Sequence, residues 1–155
     1  NLNLNDGGPG FRDFRYTEAY APIYDYITPD NPELWRRSIY RFVVRTTPHP
    51  LMTTLDCPDP ANLTPVRPQT TTALQALALS NNQFMMQQAR YMATRIERET
   101  PGESIEAMID RAFQLSFQRP PSHNELRAAK SLVEEQGLFA LCRSLINANE
   151  FVYVD

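Results

Sequence analysis

The stretch that most limits what this chain can become is residues 46–82. Six of the chain's thirteen prolines fall between Pro48 and Pro68. Each proline holds φ near one value and removes a backbone donor, so such a segment can be neither a central strand nor a helix interior. It reads as a stiff, built connection over 48–70. The pattern changes directly after it, where Thr72 and Gln75 have the spacing of a helix-opening capping box. The expected fold is therefore mainly α: an irregular, aromatic-rich N-terminal third with one or two short strands, then a bundle of about five helices. At 155 residues the chain has the size of one domain. Within it, 1–47 is expected as the extended or strand segment and 71–155 as the helical bundle.

The helices follow from period and punctuation. The first opens at Thr72, with Leu74, Leu77 and Ala78 expected to face inward. Asn81 ends it, and Asn82 is positioned to cap the second helix. There Met85, Ala89, Met92, Ala93 and Ile96 form one apolar stripe. Thr100, Pro101 and Gly102 break the chain before a third helix carrying Ile105, Met108, Ile109, Ala112 and Leu115 inward. Ser122 and Glu125 form a second capping box and open a fourth helix over about 123–136, with Gly137 as its left-handed cap. A fifth helix over 138–147 presents Leu138, Leu141, Cys142 and Leu145. The closing Phe151–Val154 run reads as an apolar tail docked on the bundle or added to a strand.

The N-terminal third is less regular. Gly7, Gly8, Pro9 and Gly10 make a turn, and no Lys-Ser/Thr follows that would make it a phosphate loop. Residues 11–32 carry Phe11, Phe14, Tyr16, Tyr20, Tyr24 and Tyr26 without a sustained period, which reads as a segment wrapped on a core. An aromatic platform for sugar rings or a peptide is the functional alternative. Residues 35–47 alternate, with Tyr40, Phe42 and Val44 on one face and Ile39, Arg41, Val43 and Arg45 on the other, which predicts a strand.

Composition excludes several classes. Net charge is −3, so no overall basic field draws the chain to nucleic acid. No apolar run approaches the roughly 20 residues of a membrane span. The opening residues have no signal-peptide pattern and read like the middle of a longer protein, so the chain is expected to be a fragment or a processed product. No Gly-x-Ser-x-Gly elbow, His-Glu-x-x-His pair or Cys-x-x-Cys-His haem attachment is present, and no cofactor is expected in this chain.

His49, Asp56, Cys57 and Asp59 invite a metal reading. It is set aside, because a zinc site needs closely paired ligands and a second pair elsewhere. The candidate ligand or salt-bridge cluster is Arg36, Arg37, Asp56, Asp59 and Arg67, converging around the proline segment, with an internal network locking the long loop as the preferred reading. Cys57 and Cys142 could form one disulfide in an oxidising compartment, or remain two thiols. No catalytic residue is assigned.

Six segments then occur in one order: GGPGF, RRSIYRFVVR, TLDCPDP, TTTALQALALSNN, AFQLSFQRPPSHNE and ALCRSLINANEFVYVD. Together they resemble the C-terminal part of the planctomycete-specific domain of unknown function 1553, from about Gly7 to Asp155. Ala73 stands where that family usually has Pro, and Gln118 where a Gly is common. The resemblance implies a secreted or cell-envelope protein whose companions are an N-terminal signal and often a cytochrome c domain. This chain would be the C-terminal portion of a larger domain. Its expected partners are another protein, the missing N-terminal part of the same protein, or a haem-bearing domain of the full-length protein. The resulting functional expectation is a non-catalytic structural or protein-interaction module. The alternative is a carbohydrate-binding or polysaccharide-processing accessory domain. A glycosidase would need two facing carboxylates about 5–10 Å apart, and Asp56, Asp59 and Glu150 are the ones to test.

Overall fold

The computed structural model describes residues 3–4, 7–59, 62–66 and 70–153. It is mainly helical, with two short strands ahead of the helices. The chain divides into two compact units, Asn1–Gln75 and Ala76–Asp155.

In the first unit, β1 (Phe14–Thr17) and β2 (Ile23–Tyr26) form an antiparallel hairpin. Its register pairs Phe14 with Tyr26 and Tyr16 with Tyr24, so the aromatics share one face. The predicted strand over 35–47 is not formed. Ser38–Tyr40 is a single 3-10 turn, and among the described residues the ladder contact there is an isolated parallel bridge between Phe11 and Arg41. Alternation alone does not make a strand; the 3-10 turn breaks the extended run before it can pair over its length. Phe11 N–H donates to the Tyr40 carbonyl, and Phe42 N–H donates to that of Phe11. This close approach explains Gly10, where a Cβ would stand 3.1 Å from the Phe42 nitrogen. A short helix, α1 (Pro50–Thr54), follows, with Pro at its first position.

Helix α2 (Ala73–Asn81) opens on the expected capping box. Thr72 Oγ1 accepts from Gln75 N–H, and Gln75 Oε1 accepts from Thr72 N–H. Its inward residues differ from expectation. Leu74 and Leu77 are exposed, while Gln75 and Leu79 are buried. The Gln75 amide donates to Asp56 Oδ2 and Thr70 Oγ1 at the helix start.

The second unit contains α3 (Gln83–Glu99), α4 (Ile105–Phe117), α5 (His123–Gln136), α6 (Leu138–Ile146) and α7 (Asn149–Val152). Asn82 Oδ1 accepts from the N–H groups of Phe84 and Met85, and the Ser122–Glu125 capping box is reciprocal. Helix α6 packs against α3 and α5, and α4 against α3 and α5. The core gathers Ala89, Ala93, Ile96, Ile109, Ala112, Leu141 and Cys142, as the apolar stripes predicted, joined by Phe113, which they did not include, with Met85, Met92 and Met108 around them. Gly137 has the expected positive φ, but with ψ 169° it is extended rather than left-handed helical. It ends α5 and starts α6 in one residue. Gln118 takes the left-handed conformation that closes α4, at φ 58°. The C-terminal tail docks on α4 and α6 as the short helix α7; Val154 and Asp155 lie outside the described residues.

Candidate functional site

The first unit holds its chemistry in two polar knots and a cleft. In the first knot, Asp13 is buried and paired through Oδ2 with Arg41 Nη1. His49 Nε2 lies 3.4 Å from the same oxygen. His49 Nδ1 accepts from Met52 N–H at 3.4 Å, capping α1. Accepting at Nδ1 places the ring proton on Nε2, where it points to Asp13. Both ring nitrogens are thus engaged, which leaves neither as a poised general base. Tyr26 stacks edge-on against the His49 ring at 4.7 Å and donates its hydroxyl to the Thr47 carbonyl at 2.6 Å. Burial, followed by the nearby Asp13 charge, pushes the Tyr26 phenol upward. Asp13 Oδ1 and Arg41 Nε are buried without a hydrogen-bond partner among the described residues.

The second knot is built on Asp56, which ends α1 at φ 56°. Its Oδ2 accepts from Thr70 N–H at 2.7 Å, Thr70 Oγ1 at 2.7 Å and Gln75 Nε2 at 3.0 Å. One carboxylate oxygen therefore ties the end of α1 to the start of α2 across the proline segment. Asn and Asp tolerate this backbone region better than other non-glycine residues, so residue type and position agree.

The other predicted cluster residues take separate contacts. Arg36 donates to the Gly7 carbonyl at 2.8 Å and lies 4.4 Å over the Tyr40 ring. Arg37 is exposed at the start of the 3-10 turn. Asp59 accepts from Asn62 Nδ2 at 2.6 Å. Asp56 and Asp59 line different clefts, and Arg67 lies outside the described residues. Cys57 and Cys142 are free thiols, the first exposed and the second buried. Burial, with the Glu97 charge second, raises the Cys142 thiol to about 12, so it is an inert core residue. Among the described residues, no three His, Cys, Asp or Glu side chains gather as metal ligands. No described helix is long and apolar enough to cross a membrane.

The cleft is lined by Tyr26, Phe42, Val43, Val44, His49 and Met52 among others, and has a volume of about 340 Å³. Cys57 and Asp59 lie at its border. The alternation in residues 40–44 did not signal this cleft, because it placed Val43 on the face opposite Phe42 and Val44, and all three line it. It could not indicate Asp13, whose significance depends on contacts 28 residues away.

In the second unit, Glu150 is not poised as a catalytic acid. Arg119 donates to Glu150 at 2.7 and 2.8 Å and to Glu125 at 2.8 and 3.0 Å, and its guanidinium lies over Phe113 and Phe117. The hydrogen bonds from Arg119 hold Glu150 below the usual carboxylate range and bring Glu125 to about 2. A general acid needs the opposite shift.

Comparison with known proteins bears on the whole of this arrangement. The model of PSD1, a family described as proteins of unknown function (DUF1553), matches residues 1–133, and the chain belongs to that family. The ALCRSLINANEFVYVD segment lies beyond the matched residues. No curated protein and no solved structure matches the chain.

Proposed function

We propose that this PSD1-family chain is a non-catalytic protein-interaction module of a secreted or cell-envelope protein, and that its N-terminal unit makes the contact. One observation carries the reading: that unit turns its large apolar side chains outward. Tyr20 is fully exposed, Ile39 is 83% exposed, Tyr16 55% and Val43 52%, whereas Val44 is its one buried apolar residue among those described. Surfaces of this kind mark interaction sites. The carboxylates and the histidine that catalysis would need are committed to internal bonds, which supports a binding role. A haem-bearing domain of the full-length protein is the first partner to test.

The test is partner recovery by cross-linking in the source cells, comparing the natural chain with a Tyr16→Ser, Tyr20→Ser, Ile39→Ser variant. The reading requires a partner that the natural chain recovers and the variant loses, with unchanged circular dichroism. Equal recovery by both would sink it.

A carbohydrate-binding role is the second reading, favoured by the exposed hairpin ladder. Tyr16 and Tyr24 rings lie 5.4 Å apart, and Phe14 and Tyr24 5.3 Å apart. Retention on insoluble polysaccharide, abolished by Tyr16→Ala with Tyr24→Ala, would favour it.

A further inference from the structure

We infer that the cleft beside Tyr26 and Met52 is an anchor pocket for a partner-protein segment in which an apolar side chain is flanked by carboxylates. This rests on the interaction-module reading above and names the partner's chemistry. The cleft's volume of about 340 Å³ is near the lower end of the roughly 300–1,000 Å³ typical of small-ligand pockets, which suits one or two side chains. Its walls are Phe42, Val43, Val44 and Met52, and methionine adapts its shape to an incoming side chain. Of the three hydroxyl side chains in the lining, Tyr26, Ser38 and Thr53, two already donate to backbone carbonyls. Thr53 Oγ1 in the lining already donates to the His49 carbonyl, at 3.2 Å.

The rim supplies the charge. Arg45 lines the cleft, Arg12 stacks 5.1 Å from the centre of the Phe42 ring, and Arg37 immediately precedes Ser38 of the lining. None of these three has a carboxylate partner among the described residues, whereas Arg41, Arg95, Arg111 and Arg119 each do. The one acid in the lining is Asp59, hydrogen-bonded to the Asn62 amide. Arg45 in the lining and Arg12 over the Phe42 ring, neither with a carboxylate partner among the described residues, make the apolar cleft complementary to an apolar anchor between acidic residues. Arginine and buried anchors of this type dominate protein interfaces.

The experiment is fluorescence anisotropy of a labelled Asp-Glu-Leu-Phe-Glu-Asp peptide titrated with the whole chain. Saturable binding is expected, weakening as salt rises from about 50 to about 300 mM. Arg12→Glu with Arg45→Glu should weaken it at least about tenfold, and so should the separate change Val43→Asp. Both changes are at exposed positions, and circular dichroism checks that the fold persists. A peptide with Lys in place of its acids should not bind. The inference is overturned by no saturable binding, by binding indifferent to the charge reversal, or by a polygalacturonate oligomer binding in place of the peptide. If the hairpin variant loses its cellular partner while the Arg12, Arg45 and Val43 variants keep it, the module stands and this pocket does not.

Discussion

The two units are stabilised by different means. The helical unit has an apolar core in which Ile96, Ile109 and Cys142 are fully buried, and its charged groups lie outside as pairs between helices. Glu99 takes Arg95 and Arg111, Glu106 takes Lys130, and Arg119 joins Glu125 to Glu150. The N-terminal unit has Val44 as its buried apolar residue among those described, and relies on ring contacts and on the knots at Asp13 and Asp56. A core of methyl groups tolerates small shifts, because apolar attraction is non-directional. Polar knots hold one geometry, because hydrogen bonds are directional. That contrast predicts different responses to substitution in the two units.

The sharpest way to break this comparison is to hollow out the helical core. Ile109→Ala should cost the helical unit about 2–5 kcal/mol, read by denaturant unfolding. A cost under about 1 kcal/mol would mean the core is not what holds it.

Asp56→Ala should cost the N-terminal unit about 1–3 kcal/mol, because it removes three accepted hydrogen bonds and leaves the buried Gln75 amide with Thr70 Oγ1 as its acceptor. Hydrogen exchange should show α1 and residues 70–75 losing protection together. Independent loss would mean that Asp56 does not join them.

Acid should weaken the helical unit modestly. Glu125 titrates at about 2 in the folded chain, below the unfolded value of about 4.3. Its stabilisation is therefore complete above about pH 5 and is lost as pH falls through the range between those values. The group is exposed, so the effect is small. Melting followed from pH 6 to about 2 should fall across that window in the natural chain and fall less in Arg119→Gln.

The smallest change is a gain. Gln118→Gly relieves a left-handed residue at φ 58°, worth about 1–2 kcal/mol. It adds unfolded-chain entropy worth about 0.5–1 kcal/mol. A net stabilisation of about 0.5 kcal/mol is expected, measurable as a raised melting temperature. Any destabilisation would show that the Gln118 side chain contributes more than its backbone costs.

The helical half was legible residue by residue, from the caps at Asn82 and Ser122 to the stripe through Ala89, Ala93 and Ile96. The hairpin also left a signal, since Phe14 and Tyr16, and again Tyr24 and Tyr26, alternate on either side of a short loop. Each run is only four residues long, and the longer alternation over 35–47 overshadowed it. In α2, Leu74 and Leu77 looked like core because apolar residues usually are.

The sequence pattern therefore indicated α3 to α6 and the caps at Thr72, Asn82 and Ser122, because each depends on contacts within about four residues along the backbone, whereas α1 inside the proline segment was not expected. Only the tertiary structure decided which charges meet and where the cleft opens. Asp13 reaches Arg41 across 28 residues and Asp56 reaches Thr70 across 14. Such long-range closures depend on how whole segments are placed, which local periodicity does not encode.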